Sequence, residues 1–150
     1  MRIAVGSDHR GVEMRRKLVG LLQRLDQEVI DVGTDNHHDV DYPDIAELVA
    51  RKVSNHEVDR GVLICGSGLG MCIAANKIRG VRAAPCHDEL TAELSRRHND
   101  LNVLCLSGDI LGEKLVDRVV EIWLETPFEG GRHARRLEKI ARFENGDYSQ

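Results

Sequence analysis

The chain has 150 residues, with 21 basic and 25 acidic side chains, a formal net charge of −4, 41% hydrophobic residues and only 3% aromatic ones. That is enough apolar material for one self-sufficient core, so a single domain over residues 1–150 is expected, with 145–150 as a frayed tail. A mildly acidic, aromatic-poor chain is a poor binder of nucleic acid or an anionic membrane surface; with no long apolar run and no signal peptide, a soluble cytoplasmic protein is expected.

Short β-branched runs alternate with amphipathic stretches along the chain. Residues 2–5 read as a first strand, broken at Gly6. Over 11–25 the apolar residues Val12, Leu18, Val19, Leu22 and Leu25 fall at helical spacing. Residues 28–32 form a second strand stopped by Gly33, and Pro43 suits the first turn of a helix reaching Ser54. Residues 61–65 are apolar throughout, as a strand covered on both faces should be. The turn Gly66-Ser67-Gly68-Leu69-Gly70 opens a helix to Lys77. A fourth strand over 81–84, a helix over 88–97, a fifth strand over 101–106 and a helix over 111–124 follow. Gly130-Gly131 breaks the chain before a basic last helix over 132–144. The pattern predicts an α/β fold: a three-layer, doubly wound, Rossmann-like five-stranded parallel sheet of order 2-1-3-4-5, with an extra C-terminal basic helix.

In such a sheet, ligands bind beyond the carboxyl ends of the strands, where the strand order reverses. Here that point lies between strands one and three. The loops leaving it, 6–10 and 65–70, are also the most chemically loaded turns of the sequence.

The 66–70 turn follows a strand and opens a helix, so its amides favour an anion, unless it is only a tight turn. It is neither a G-x-G-x-x-G loop nor a Walker loop. Cys65 ends the preceding strand, where a helix N-terminus favours a thiolate able to act as base or nucleophile; the alternative is a buried apolar cysteine. Cys72, Cys86 and Cys105 have no such setting and read as core residues, and no C-x2-C pair suggests zinc or thiol redox chemistry. Asp8 and His9 could orient hydroxyls, move a proton or meet a phosphate, or Asp8 could cap the first helix. His37 and His38, among Asp35, Asp39 and Asp41, read as a solvated loop rather than a metal site, because adjacent residues do not converge easily on one ion.

His98-Asn99-Asp100 poses a problem, because the end of the fourth helix should lie at the amino edge of the sheet, far from Cys65. Either His98 is structural or a second subunit brings it to the site. The same holds for Gly130-Gly131-Arg132-His133, where Arg132 and Arg136, four apart, share one helix face and can fork around a dianion.

Gly6-Ser7-Asp8-His9, Asp41-Tyr42-Pro43-Asp44, Cys65-Gly66-Ser67-Gly68-Leu69-Gly70-Met71, Ala74-Ala75-Asn76-Lys77, His98-Asn99-Asp100 and Gly130-Gly131-Arg132-His133 occur in that order. Together they resemble the ribose-5-phosphate isomerase B family, the RpiB/LacAB sugar-phosphate isomerases, over roughly residues 2–142. The resemblance implies cofactor-free and metal-free interconversion of D-ribose 5-phosphate and D-ribulose 5-phosphate, in a homodimer or tetramer whose sites span the subunit interface. It implies Cys65 as the base between C1 and C2, and His98 as the acid/base of ring opening. Asp8, His9 and Asn99 would bind the sugar, Ser67 and the amides of Gly66, Gly68, Leu69 and Gly70 the enediolate oxygens, and Arg132, His133 and Arg136 the phosphate. Three positions depart from the commonest pattern. Ser67 replaces Thr, Asp109 stands at a substrate-facing position where many ribose-type members carry a phosphate-binding Arg, and Arg10 replaces a small residue. Arg10 is expected to supply the missing cation. The competing readings are the same mechanism on allose or galactose 6-phosphate, and a non-enzymatic phosphate- or nucleotide-binding module.

Overall fold

The computed structural model describes residues 1–35 and 39–148. His37 and His38 therefore lie outside the described residues. In chain order the elements are β1 (Arg2–Ser7), α1 (Val12–Arg24), β2 (Glu28–Asp31), α2 (Tyr42–Ser54), β3 (Arg60–Cys65), α3 (Leu69–Ala75), β4 (Ala83–Pro85), α4 (Glu89–Asn99), β5 (Val103–Ser107), α5 (Glu113–Glu125) and α6 (Arg132–Glu144). All strand pairings are parallel, as the alternation of strands and helices requires.

Successive strand residues face opposite sides of the sheet, and the core is divided accordingly. Ile3, Val5, Val62, Ile64, Leu104 and Leu106 pack against Leu18, Leu21 and Leu22 of α1, Ala92 of α4, and Val116, Val119, Val120 and Trp123 of α5. Ala4, Leu63, Cys65, Val103 and Cys105 pack on the other face against Ile45, Ala46, Val49, Ala50 and Val53 of α2 and Met71 and Ala75 of α3. The α5 residues recur at the helical interval, and each large aliphatic side chain buried this way contributes about 1.5–3 kcal/mol.

The strand order is β2-β1-β3-β5-β4, which corrects the expected 2-1-3-4-5 at its far end. Strand β4 has three residues and ends in Pro85, which offers no N–H to a further neighbour and so suits an edge. Strand β5 is buried at every position and takes the interior place. The exchange sets Cys65 opposite Ser107, and so brings the 107–109 turn against the 65–70 loop. The tail expected from Asn145 is folded back at its start: the amides of Asn145 and Asp147 both donate to the Arg142 carbonyl.

Candidate active site

The carboxyl edge of the sheet gathers the ends of β1, β3 and β5. Cys65, the last residue of β3, is buried, and its Sγ accepts the Gly68 N–H at 3.2 Å. That contact depends on glycine, because Gly68 has φ +78° and a Cβ there would sit 3.2 Å from the Leu106 carbonyl. Ser67 Oγ accepts the Leu69 amide at 3.3 Å, while the Leu69 side chain is exposed. Ser107 Oγ donates to the Gly66 carbonyl at 2.6 Å and accepts the Ile110 amide, pinning the loop from β5. Two loop amides thus serve the chain itself, one of them the sulfur. The Gly66 and Ser67 amides make no protein hydrogen bond among the described residues and remain available to an oxygen ligand.

Asp8 is buried on the neighbouring loop. It does not cap α1, whose N-cap is Gly11 without a side-chain bond; its Oδ1 accepts the Arg10 amide at 2.9 Å. Burial raises its pKa above the ordinary carboxylate range against the pull of the Arg10 amide and His9. His9 Nδ1 accepts the Val40 amide at 3.3 Å, so its ring proton is on Nε2, 3.5 Å from Asp39 Oδ1. The Tyr42 ring covers Gly70, where a Cβ would lie 2.8 Å from it. Arg10 and Asp109 close this group as an ion pair, with Nη2 2.6 Å from Oδ2. Asp109 therefore faces the loop as the partner of Arg10.

A second group lies at the opposite edge. Helix α4 runs back against the strands, and the chain just after it, at Asn102, accepts the Gly61 amide at the start of β3. His98 and Asn99 end this helix, and the Asn99 carbonyl accepts Arg82 Nε. The His98 ring stacks on the His133 ring of α6, with centroids 4.2 Å apart and planes within 4°. Glu129 Oε2 lies 3.9 Å from His98 Nε2 and 3.5 Å from His133 Nε2. Arg132 and Arg136 are exposed at the start of α6 and have no carboxylate partner among the described residues. The chain alone therefore brings together Asp8, His9, Arg10, Cys65 to Gly70 and Asp109, and separately His98, Asn99, Arg132, His133 and Arg136.

His98, Glu129 and His133 have the composition of a metal site, with their ligand atoms within 4.8 Å of one another. The geometry argues against it. A metal bound by imidazole lies in the ring plane, and two parallel stacked planes share no point. A cavity of about 420 Å³ lined by Arg60, Arg82, Arg96 and Asp100 is no anion site either. Its arginines hold carbonyls at helix ends: Arg60 those of Trp123 and Leu124, Arg82 those of Asn99 and Asp100.

Sequence reasoning missed Tyr42, Ser107 and Glu129. Tyr42 was in view within its motif but carried no spacing signal of its own. Ser107 could not be placed without the true strand order, and Glu129 is one acid among many until the fold brings α4 and α6 together.

A parallel sheet with a thiol, a carboxylate and free amides at its switch point defines a doubly wound α/β enzyme that handles a small ligand at the carboxyl edge. The chain belongs to the Ribose/Galactose Isomerase family, whose pattern it matches over residues 3–140. It is similar to ribose-5-phosphate isomerase B of Escherichia coli (strain K12), 45% identical over 143 residues that span 95% of this chain and 96% of that protein. Its fold superposes on Clostridium thermocellum ribose-5-phosphate isomerase B with a TM-score of 0.96 at 46% identity, covering 99% and 100% of the two chains. The Mycoplasma genitalium ribose-5-phosphate isomerase B, a structure with bound ribulose-5-phosphate, gives 0.93 at 42% identity, with 97% of each chain covered. The family expected from the motifs is the family found. Among the described residues no helix is long and apolar enough to cross a membrane.

Proposed function

We propose that this protein interconverts D-ribose 5-phosphate and D-ribulose 5-phosphate, as a cytoplasmic enzyme of the non-oxidative pentose phosphate pathway. The observation that carries the proposal is the buried Cys65 thiol held by the Gly68 amide beside buried Asp8. In the open-chain aldose the Cys65 thiolate takes the proton from C2, and the electron pair moves to O1 to form the enediolate. The thiol returns the proton to C1, and the O2 hydroxyl proton passes to O1, leaving the ketose. The free Gly66 and Ser67 amides and the Ser67 hydroxyl are disposed to steady the charged oxygens. Ring opening precedes this step: an acid protonates the ring oxygen as O1 loses its proton. His98 is the proposed acid, Asp8 assists and Asn99 and His9 hold hydroxyls. This chemistry calls for neither metal nor nicotinamide.

The phosphate clamp is proposed to be Arg132 and Arg136, which have no carboxylate partner among the described residues, with His133 beside them. With two half-sites on opposite edges, a complete site needs a second copy, so a homodimer or tetramer with shared sites is proposed. A coupled assay on ribose 5-phosphate, with allose 6-phosphate alongside, tests the reaction. Cys65→Ala and His98→Asn should each be inactive, yet their 1:1 mixture after subunit exchange should recover about a quarter of wild-type activity, since half the dimers are hybrids with one intact site. No recovery on mixing would defeat the shared site. Turnover surviving Cys65→Ala would defeat the base.

A further inference from the structure

Glu129 sits in the link between α5 and α6 and is tied on every side. Its amide donates to the Arg97 carbonyl at 3.0 Å, and its Oε1 accepts Arg97 Nε at 2.6 Å, with Arg97 Nη2 also paired to Oε1. Arg97 is in turn held by Glu93 at 2.7 Å. The other oxygen, Oε2, is left to face the two stacked imidazoles. The charged groups around the rings are Arg97 from α4, Glu129 from the link, and Arg132 and Arg136 from α6. Among the described residues Glu129 is the one carboxylate within 4.0 Å of either ring.

We infer that Glu129 is a positioning residue that keeps a single proton on the His98–His133 stack, while Arg132, donating to His133 Nε2, turns that proton to His98. Three observations carry this, and it rests on the reading of His98 as the ring-opening acid. Two imidazolium rings stacked face to face at 4.2 Å repel each other, so the pair holds one proton rather than two. His133 Nε2 lies between Glu129 Oε2 at 3.5 Å and Arg132 Nε at 3.4 Å. Burial first, then His98 and Arg132, push the His133 pKa down, and the guanidinium donates to the lone pair of its Nε2. His98 is a third exposed, faces the same carboxylate oxygen at 3.9 Å and has no guanidinium donating to its ring among the described residues. Without the Glu129 charge the pair faces only guanidinium groups, and the proton leaves at a lower pH.

The test is a histidine ring-carbon NMR titration of the full-length protein and its Glu129→Gln variant, in which the amide oxygen can still accept from Arg97. The His98 midpoint should fall by about one pH unit, and an unchanged midpoint overturns the inference. If Glu129→Gln does not fold, Glu129→Asp takes its place: the charge is kept but drawn back from the rings, and the His98 midpoint should again fall; no movement is fatal in the same way. Kinetics separate this from the reading beneath it. D-Erythrose 4-phosphate carries its phosphate on O4 and cannot form a furanose ring, so it needs no ring opening. Glu129→Gln and His98→Asn should both lose turnover of ribose 5-phosphate relative to erythrose 4-phosphate, Glu129→Gln about tenfold at neutral pH, the ratio expected from a midpoint lowered by one unit. If His98→Asn slows both sugars equally, the ring-opening role of His98 falls. If His98→Asn is selective and Glu129→Gln leaves midpoint and ratio alone, only the role of Glu129 falls.

Discussion

Arg10 donates from both Nε and Nη2 to a single oxygen of Asp109, at 2.8 and 2.6 Å, over the 65–70 loop. The loop has no room beneath them, since a Cβ on Gly66 would lie 2.8 Å from Asp109 Oδ2 and 2.9 Å from Arg10 Nε. The acid at 109 cannot bind a phosphate, yet it fixes the guanidinium over the loop that follows Cys65. Both side chains are about half exposed, so the pair adds little to stability.

If Arg10 supplies a cation to the sugar phosphate, Arg10→Ala should raise KM for ribose 5-phosphate about fivefold, or about 1 kcal/mol, with kcat little changed. Asp109→Asn keeps an oxygen for Arg10 and removes the opposing charge, so its KM should fall below the wild type's. The difference should shrink as salt is added. Steady-state kinetics at two ionic strengths decide it, and an unchanged KM in Arg10→Ala removes Arg10 from the substrate.

Gly68→Ala tests the loop that holds the thiol. Alanine would have to adopt φ +78° and press on the Leu106 carbonyl, so the loop must move and the Gly68 N–H leave Cys65 Sγ. A loss of about 1–3 kcal/mol in urea unfolding is expected, together with a fall in kcat larger than the change in KM. Wild-type kcat in a folded Gly68→Ala protein would show that the amide–sulfur contact is idle.

The local features were legible in the sequence because they are local. Helix α6 begins and ends where the Gly130-Gly131 break and its basic run suggested, at Arg132 and Glu144. Cys65 and its glycine loop lie at the strand end where period and turn chemistry put them. The far order of the sheet was not legible, because an apolar strand carries no label for its neighbour. Only the shortness of β4 and Pro85 could have marked the edge. The Arg10–Asp109 and Glu129–His98 contacts depend on that order and on the return of α6, so no spacing announces them.

Cys72 was read as a core residue, but it is only partly buried. Its interaction with Cys105, then the Asn76 amide 3.5 Å from its sulfur, draw its pKa down against its partial burial. Burial pushes Cys86 up to about 11. At pH 8 iodoacetamide should therefore label Cys72 well before Cys86, as peptide mass spectrometry would report. Equal rates would mean that the Cys72 thiol is no easier to ionise or reach than Cys86.

Asp8 carries the clearest trade between stability and function. Its folded-state pKa is raised by burial, so the native state binds that proton more tightly than the unfolded chain does. The resulting stabilisation is complete below the unfolded value, near pH 4, and is lost as pH rises through the folded value; at neutral pH the buried charge is a cost. Asp8→Asn keeps an oxygen for the Arg10 amide and removes that cost. Its Tm should match or exceed the wild type's at pH 7, and the advantage should vanish as pH falls towards 4. Turnover of ribose 5-phosphate should drop at least about tenfold, because an amide cannot take the O1 proton during ring opening. Thermal melts at the two pH values, read beside the assay, separate the outcomes. A variant less stable at pH 7 would mean that the carboxylate is fully compensated where it lies, and a variant with unimpaired turnover would remove Asp8 from the chemistry.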